Sequence, residues 1–132
     1  MKIVVDSNVI ISALASEGIA KKTMAIVIAE HHGCWTKHIQ HEVERILRDK
    51  FKIPAKALQA ATTYLHANLI ELKPRGKPPE ICRDPDDNHI LHAATAPEID
   101  IILTGDRDLL TLKQFNKVRI LSIREFLAEV IP

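Results

Sequence analysis

Residues 2–15 read Lys2-Ile-Val-Val5-Asp6-Ser-Asn8-Val-Ile-Ile-Ser-Ala-Leu-Ala15.

 Lys2–Val5 is a short β-branched run of the kind that forms a buried strand, and Asp6 ends it. Apolar residues continue from Asn8 to Ala15, so the strand passes into a helix with a carboxylate at the joint. A second apolar strand, Ile101–Thr104, is stopped by Gly105 and followed two residues later by Asp106.

Outward from these two units, strands and helices alternate. Ile19–His31 reads as a helix separated from the first by Gly18 and closed by Gly33, and Cys34–Thr36 reads as a short strand. In Lys37–Lys50 the apolar residues Ile39, Val43, Ile46 and Leu47 recur at helical spacing on one face. Pro54 opens a helix to Ala67. Leu69–Leu72 is an ambiguous strand, followed by the basic Pro/Gly loop Lys73–Glu80. Asp87–Ala96 returns to helical spacing and Pro97 ends it. A short helix spans Asp108–Lys113, Val118–Leu121 is a strand, and Ser122-Ile-Arg-Glu125 is a capping box opening the helix Ile123–Val130. This alternation predicts an α/β fold, a three-layer α/β/α domain with a largely parallel sheet. Sites in such sheets form at the carboxyl ends of the strands, so Asp6 and Asp106 are expected on one edge.

The chain has 132 residues, 46% of them hydrophobic and 27% charged, which predicts a single domain over 1–132 and excludes disorder and coiled coil. Two cysteines, Cys34 and Cys82, lack metal or disulfide spacing and fit a reducing cytoplasm. No apolar run is long enough to span a bilayer, and the N-terminus is a poor signal peptide, so no membrane partner is expected. Aromatic residues are only 4%, too few for a broad base-stacking platform. The net charge of +1 conceals a division: residues 1–36 carry three basic and three acidic residues, residues 37–83 ten and five, and residues 84–132 five and nine. The basic middle places Arg45, Arg48, Lys50, Lys52, Lys73, Arg75 and Lys77 as candidates for contact with an RNA backbone, or as an ordinary solvated face and loop.

On a helical wheel with Ile39 at zero, Glu42 lies at about 300°, bordering the apolar stripe. With Ile90 at zero, Asp87 lies at about 60°, where a core residue belongs. Burying an unpaired carboxylate is costly, and clustered carboxylates raise one another's proton affinity. Asp6, Glu42, Asp87 and Asp106 are four inward-biased acids without matching local cations. A hard divalent cation, Mg²⁺ or Mn²⁺, resolves the conflict, because it prefers oxygen ligands and retains water for a phosphate substrate. Such a site suits phosphodiester hydrolysis. Each acid also has a plainer reading: Asp6, Asp87 and Asp106 as helix N-caps, and Glu42 as a side chain at the margin of the core. Asp84 and Asp86 read as turn, cap or supporting groups. The pairs His38/His41 and His89/His92 lie opposite the apolar stripes and are expected to face solvent, while Trp35 and Tyr64 suit the core or a subunit interface.

The strand followed by Asp6-Ser-Asn8-Val, then Glu42-Val-x-x-Ile-Leu47, Asp84-Pro-Asp-Asp-Asn88, Thr104-Gly-Asp-Arg-Asp-Leu-Leu110 and Arg119-Ile-Leu-Ser-Ile-Arg-Glu-Phe126 together resemble PIN-domain proteins. The branch they resemble is the toxin components of toxin–antitoxin systems, which are VapC-like ribonucleases. The resemblance implies a Mg²⁺- or Mn²⁺-dependent endoribonuclease whose catalytic, metal-holding quartet is Asp6, Glu42, Asp87 and Asp106. Asn8, Thr104 and Asp108 would support it. Asp86 and Asp87 both fit the motif, and the wheel favours Asp87. The resemblance further implies an RNA substrate, a small antitoxin partner and a homodimer. Two other readings stand beside it. One is a phosphatase or phosphotransferase of the haloacid-dehalogenase kind with Asp6 as nucleophile; the other is a non-catalytic binding module of the same fold.

Overall fold

The structure is a computed structural model and describes residues 1–132. Its first strand, β1 (Lys2–Val5), leads into helices α1 (Ser7–Ala15) and α2 (Ile19–Glu30), then β2 (His32–Trp35), α3 (Lys37–Asp49), α4 (Ala55–Asn68) and β3 (Ile70–Glu71). The second half comprises α5 (Pro85–Ala93), β4 (Ile101–Leu103), α6 (Arg107–Leu112), β5 (Gln114–Phe115), β6 (Val118–Leu121) and α7 (Ile123–Val130). The strands form one six-stranded sheet in the order β3-β2-β1-β4-β6-β5, and only β5 runs antiparallel to its neighbour.

Consecutive side chains of a strand point to opposite faces. Ile3, Val4 and Val5 are all fully buried, as are Ile101, Ile102 and Leu103, so the two central strands are covered on both sides. That burial explains their unbroken apolar sequence and gives the three-layer α/β/α architecture. The chain winds outward from β1 through β2 to β3, then crosses to the other side of β1 at β4. The two strands pair in register, Val5 opposite Leu103, and their carboxyl ends flank the crevice that opens where the winding reverses.

Helix-capping chemistry sets what stands at the strand ends. Asp6 caps α1, Thr36 caps α3, Asp106 caps α6, and Ser122 with Glu125 forms the capping box of α7. An acid at a helix start satisfies open N–H groups and favours the positive end of the helix dipole.

Several boundaries differ from the sequence reading. Gly33 lies within β2 and does not close the preceding helix, because α2 ends at Glu30 and His32–Trp35 pair with β1. A Cβ at Gly33 would lie 2.7 Å from Leu69 Cδ2 and 3.0 Å from Val27 Cγ1, so a side chain there requires both neighbours to shift. Thr36 belongs to a helix cap and not to a strand. The helix expected from Asp87 starts at Pro85, because Asp84 caps it and proline suits its first turn. The two-residue strand β5 forms a hairpin with β6, with Asn116 at φ 53° in the connection.

Candidate active site

Asp6 leaves the end of β1 with its backbone N–H donating to the Leu103 carbonyl at 3.0 Å, which holds the carboxyl ends of β1 and β4 together. Its side chain is buried and engaged on both oxygens. Oδ1 accepts from the Ser7 backbone N–H at 2.7 Å; Oδ2 accepts from Thr104 Oγ1 at 2.7 Å and from Asn8 Nδ2 at 3.1 Å. Thr104 Oγ1 in turn accepts from the Asp106 N–H at 3.0 Å, and Asn8 Oδ1 accepts from the Gly105 N–H at 3.0 Å. Thr104 and Asn8 therefore lock Asp6 and the turn carrying Asp106 into one unit.

Glu42, half-buried on α3, accepts from Ser7 Oγ at 3.0 Å, and that hydroxyl lies 3.4 Å from Asp6 Oδ1. Asp87, on the first turn of α5, is buried, and its Oδ2 is shielded from solvent with no hydrogen-bond partner. Oxygens of Asp87, Asp106 and Asp108 lie within 4.8 Å of one another. Asp108 also accepts two hydrogen bonds from Arg83 Nη2, at 3.1 and 3.0 Å. Asp6, Glu42, Asp87 and Asp106 all line one open cleft of about 300 Å³.

The electrostatics follow from this crowding. Burial is the main cause that pushes the Asp6 carboxyl up to about 6; the Thr104 and Ser7 hydrogen bonds oppose it, and Glu42 and Asp106 add to it. Asp87 is raised well above the usual carboxylate range, first by burial and then by Asp106, with Asp84 and Asp6 contributing. No Lys or Arg forms an ion pair with Asp6, Glu42, Asp87 or Asp106. An all-oxygen donor set, an unpartnered buried oxygen and an uncompensated negative charge fit a hard divalent cation.

Asp86 differs from Asp87: its side chain is 54% exposed and accepts from His38 Nε2 at 3.2 Å. The basic residues divide. Lys50 lines the acidic cleft, Arg45 lines the adjoining depression with Glu42 and Asp86, and Lys73 lines a separate pocket. Arg48 pairs with its neighbour Asp49, and Lys52, Arg75 and Lys77 are exposed and line none of these three hollows.

Two readings of the histidines need correction. His92 is buried, because the basic loop folds back over α5 and His92 Nε2 donates to the Arg75 carbonyl at 2.9 Å. His38 and His89, half-buried, stack with ring centroids 3.7 Å apart and planes at 8°. Burial, then the neighbouring His38 ring, lowers the proton affinity of His89. Ser7 bridges Asp6 and Glu42, and the sequence signals it only by a hydroxyl immediately after the strand-ending acid. Asn88 is a brace with no sequence signal of its own: its Oδ1 accepts from the N–H groups of Ile81 and Cys82 at 3.1 and 2.8 Å, fixing the approach to α5.

The family model of the PIN domain matches residues 2–108. An uncharacterized protein of Methanocaldococcus jannaschii is 30% identical over 128 residues, an alignment covering 89% of this chain and 78% of that protein.

Proposed function

Because the chain belongs to the PIN-domain family, we propose that residues 1–132 form one nuclease domain, an endoribonuclease that hydrolyses RNA phosphodiester bonds with Mg²⁺ or Mn²⁺. Family membership supports nuclease chemistry in general. The observation that carries the metal dependence is Asp87, whose buried Oδ2 has no partner and whose carboxylate crowds Asp106. Phosphate would be repelled by this cleft unless cations offset its carboxylates.

In this reading Asp6, Glu42, Asp87 and Asp106 hold the cation. When bound, a divalent ion lowers the pKa of water and offsets charge on the phosphoryl oxygens. Thr104 and Asn8 orient Asp6, and Ser7 orients Glu42 toward it. Asp108, tied to Arg83, is a positioning residue at the margin. Lys50 gives the cleft wall a cation for the RNA backbone, with Arg45 beside it. The same reading makes the protein the cytoplasmic toxin of a toxin–antitoxin pair, a homodimer held in check by a small antitoxin. Neither partner of that pair crosses the membrane in this scheme, and no helix of this chain is long and apolar enough to do so.

The test is cleavage of defined RNAs, and of single- and double-stranded DNA, with and without Mg²⁺ or Mn²⁺. Asp6→Asn and Asp106→Asn are expected to reduce RNA cleavage by about 100-fold or more. Undiminished cleavage by folded variants overturns the site assignment, and preferential cleavage of DNA overturns the substrate.

A further inference from the structure

Beyond His38, on the far side from the acidic cleft, lies a second hollow of about 230 Å³ whose lining includes two lysines and one acid. Lys37 and Lys73 line it, and neither forms an ion pair within 4.0 Å. His89 and His92 line it, with one face of the His89 ring covered by His38 and His92 Nε2 held by the Arg75 carbonyl, and Leu72 adds apolar surface. The volume falls below the ~300 Å³ at which pockets for drug-sized ligands begin, so it suits one planar ring. Glu71 supplies a polar group of defined direction: its Oε1 accepts from the buried Gln40 amide at 2.8 Å, and its other oxygen has no hydrogen-bond partner within the chain. That Gln40 bond, before the nearby Lys37 and Lys73, holds the Glu71 carboxyl below its ordinary range.

The pocket is separated from the candidate active site by His38 and one intervening depression. His38 lines it and also lines the adjoining depression with Glu42 and Asp86; those two acids line the acidic cleft. A strand whose phosphate enters the cleft would reach the pocket by passing over His38.

The geometry points to a nucleotide subsite that selects an amino-bearing base: the ring lies against His89 and His92, its exocyclic amine donates to Glu71, and its phosphate meets Lys37 and Lys73. Bases stack on imidazole as on other aromatic rings, and a carboxylate accepts from the cytosine amine where a uracil carbonyl would be repelled. This inference rests on the RNA reading above, deepening it to the choice of neighbouring base.

The experiment uses the full chain without added metal and follows the ring resonances of His89 and His92 during titration with CMP, AMP, UMP and ribose 5-phosphate. CMP and AMP are expected to move both residues' signals and to bind about tenfold more tightly than UMP or ribose 5-phosphate. Lys37→Ala combined with Lys73→Ala is expected to weaken CMP binding about tenfold. Glu71→Gln turns an amide toward the pocket and is expected to reduce the CMP-to-UMP ratio about tenfold. Absence of shifts up to millimolar nucleotide, equal binding of CMP and ribose 5-phosphate, or an unchanged ratio in Glu71→Gln overturns the subsite. Because binding is read without cleavage, the two readings fail separately. CMP-selective binding by a chain that cuts no RNA upholds the subsite and rejects the nuclease; RNA cleavage without such binding rejects the subsite alone.

Discussion

Asp87 sets stability against function in one side chain. Its buried oxygen has no donor and its neighbour Asp106 is another acid, so once Asp87 ionises the metal-free fold carries the repulsion that raises its proton affinity. Asp87→Asn removes the charge and supplies a donor facing Asp106. In metal-free protein it is expected to raise stability by about 1 kcal/mol, or about 4 °C in Tm, while RNA cleavage falls about 100-fold. A lower Tm in the variant would assign Asp87 to the structural framework. Asp6 bears on the alternative of a nucleophilic phosphatase: both its oxygens are already engaged by Ser7, Thr104 and Asn8, which suits a positioned ligand better than an attacking group. The burial of Asp87 is legible from its wheel position alone. The Ser7 bridge is not, because it depends on Glu42 arriving from a helix 35 residues away.

Elements with strong local chemistry are the legible ones. The β-branched runs of β1 and β4, the one-sided stripe of α3 and the capping box of α7 each declare their structure within a few residues. β2 is legible only in part: Cys34–Trp35 fall within the short strand expected at Cys34–Thr36, whereas His32 and Gly33 have little strand propensity and join it through pairing with β1. β3 and β5 are two residues each, too short for any periodicity. The burial of His92 likewise depends on where the basic loop folds. Gly33 gives the dependence of β2 on packing a measurable form. Gly33→Ala forces Leu69 and the stiffer Val27 side chain to move and is expected to destabilise the chain by about 1–3 kcal/mol in chemical denaturation. A neutral result would show that α2 and Leu69 can yield without loss.

At the scale of the whole molecule, the net charge of +1 is a poor guide, because a cleft of carboxylates and a pocket with two unpaired lysines lie on either side of His38. The carboxylates also set the response to pH. The folded Asp6 has its proton affinity raised from 3.8 to about 6, so between these values the folded state holds a proton that the unfolded state has released. Stability from this group is therefore complete below about pH 4 and is lost as pH rises through about 6, by about 3 kcal/mol in all. Asp87 acts in the same direction. The check is the Tm difference between metal-free wild type and Asp6→Asn from pH 4 to 8: wild type is expected to lose ground as pH rises, and a flat difference would reject the shift. Added Mg²⁺ or Mn²⁺ above pH 7 is expected to recover the loss by binding the folded state. The crossing from β3 back to β4 has one more consequence. Thr104 grips Asp6 across 98 positions of sequence, so a chain emerging from the ribosome displays its first acid long before the turn that completes the set. Translation therefore leaves the acidic cleft incomplete until Asp106, about four-fifths of the way along the chain, has been made.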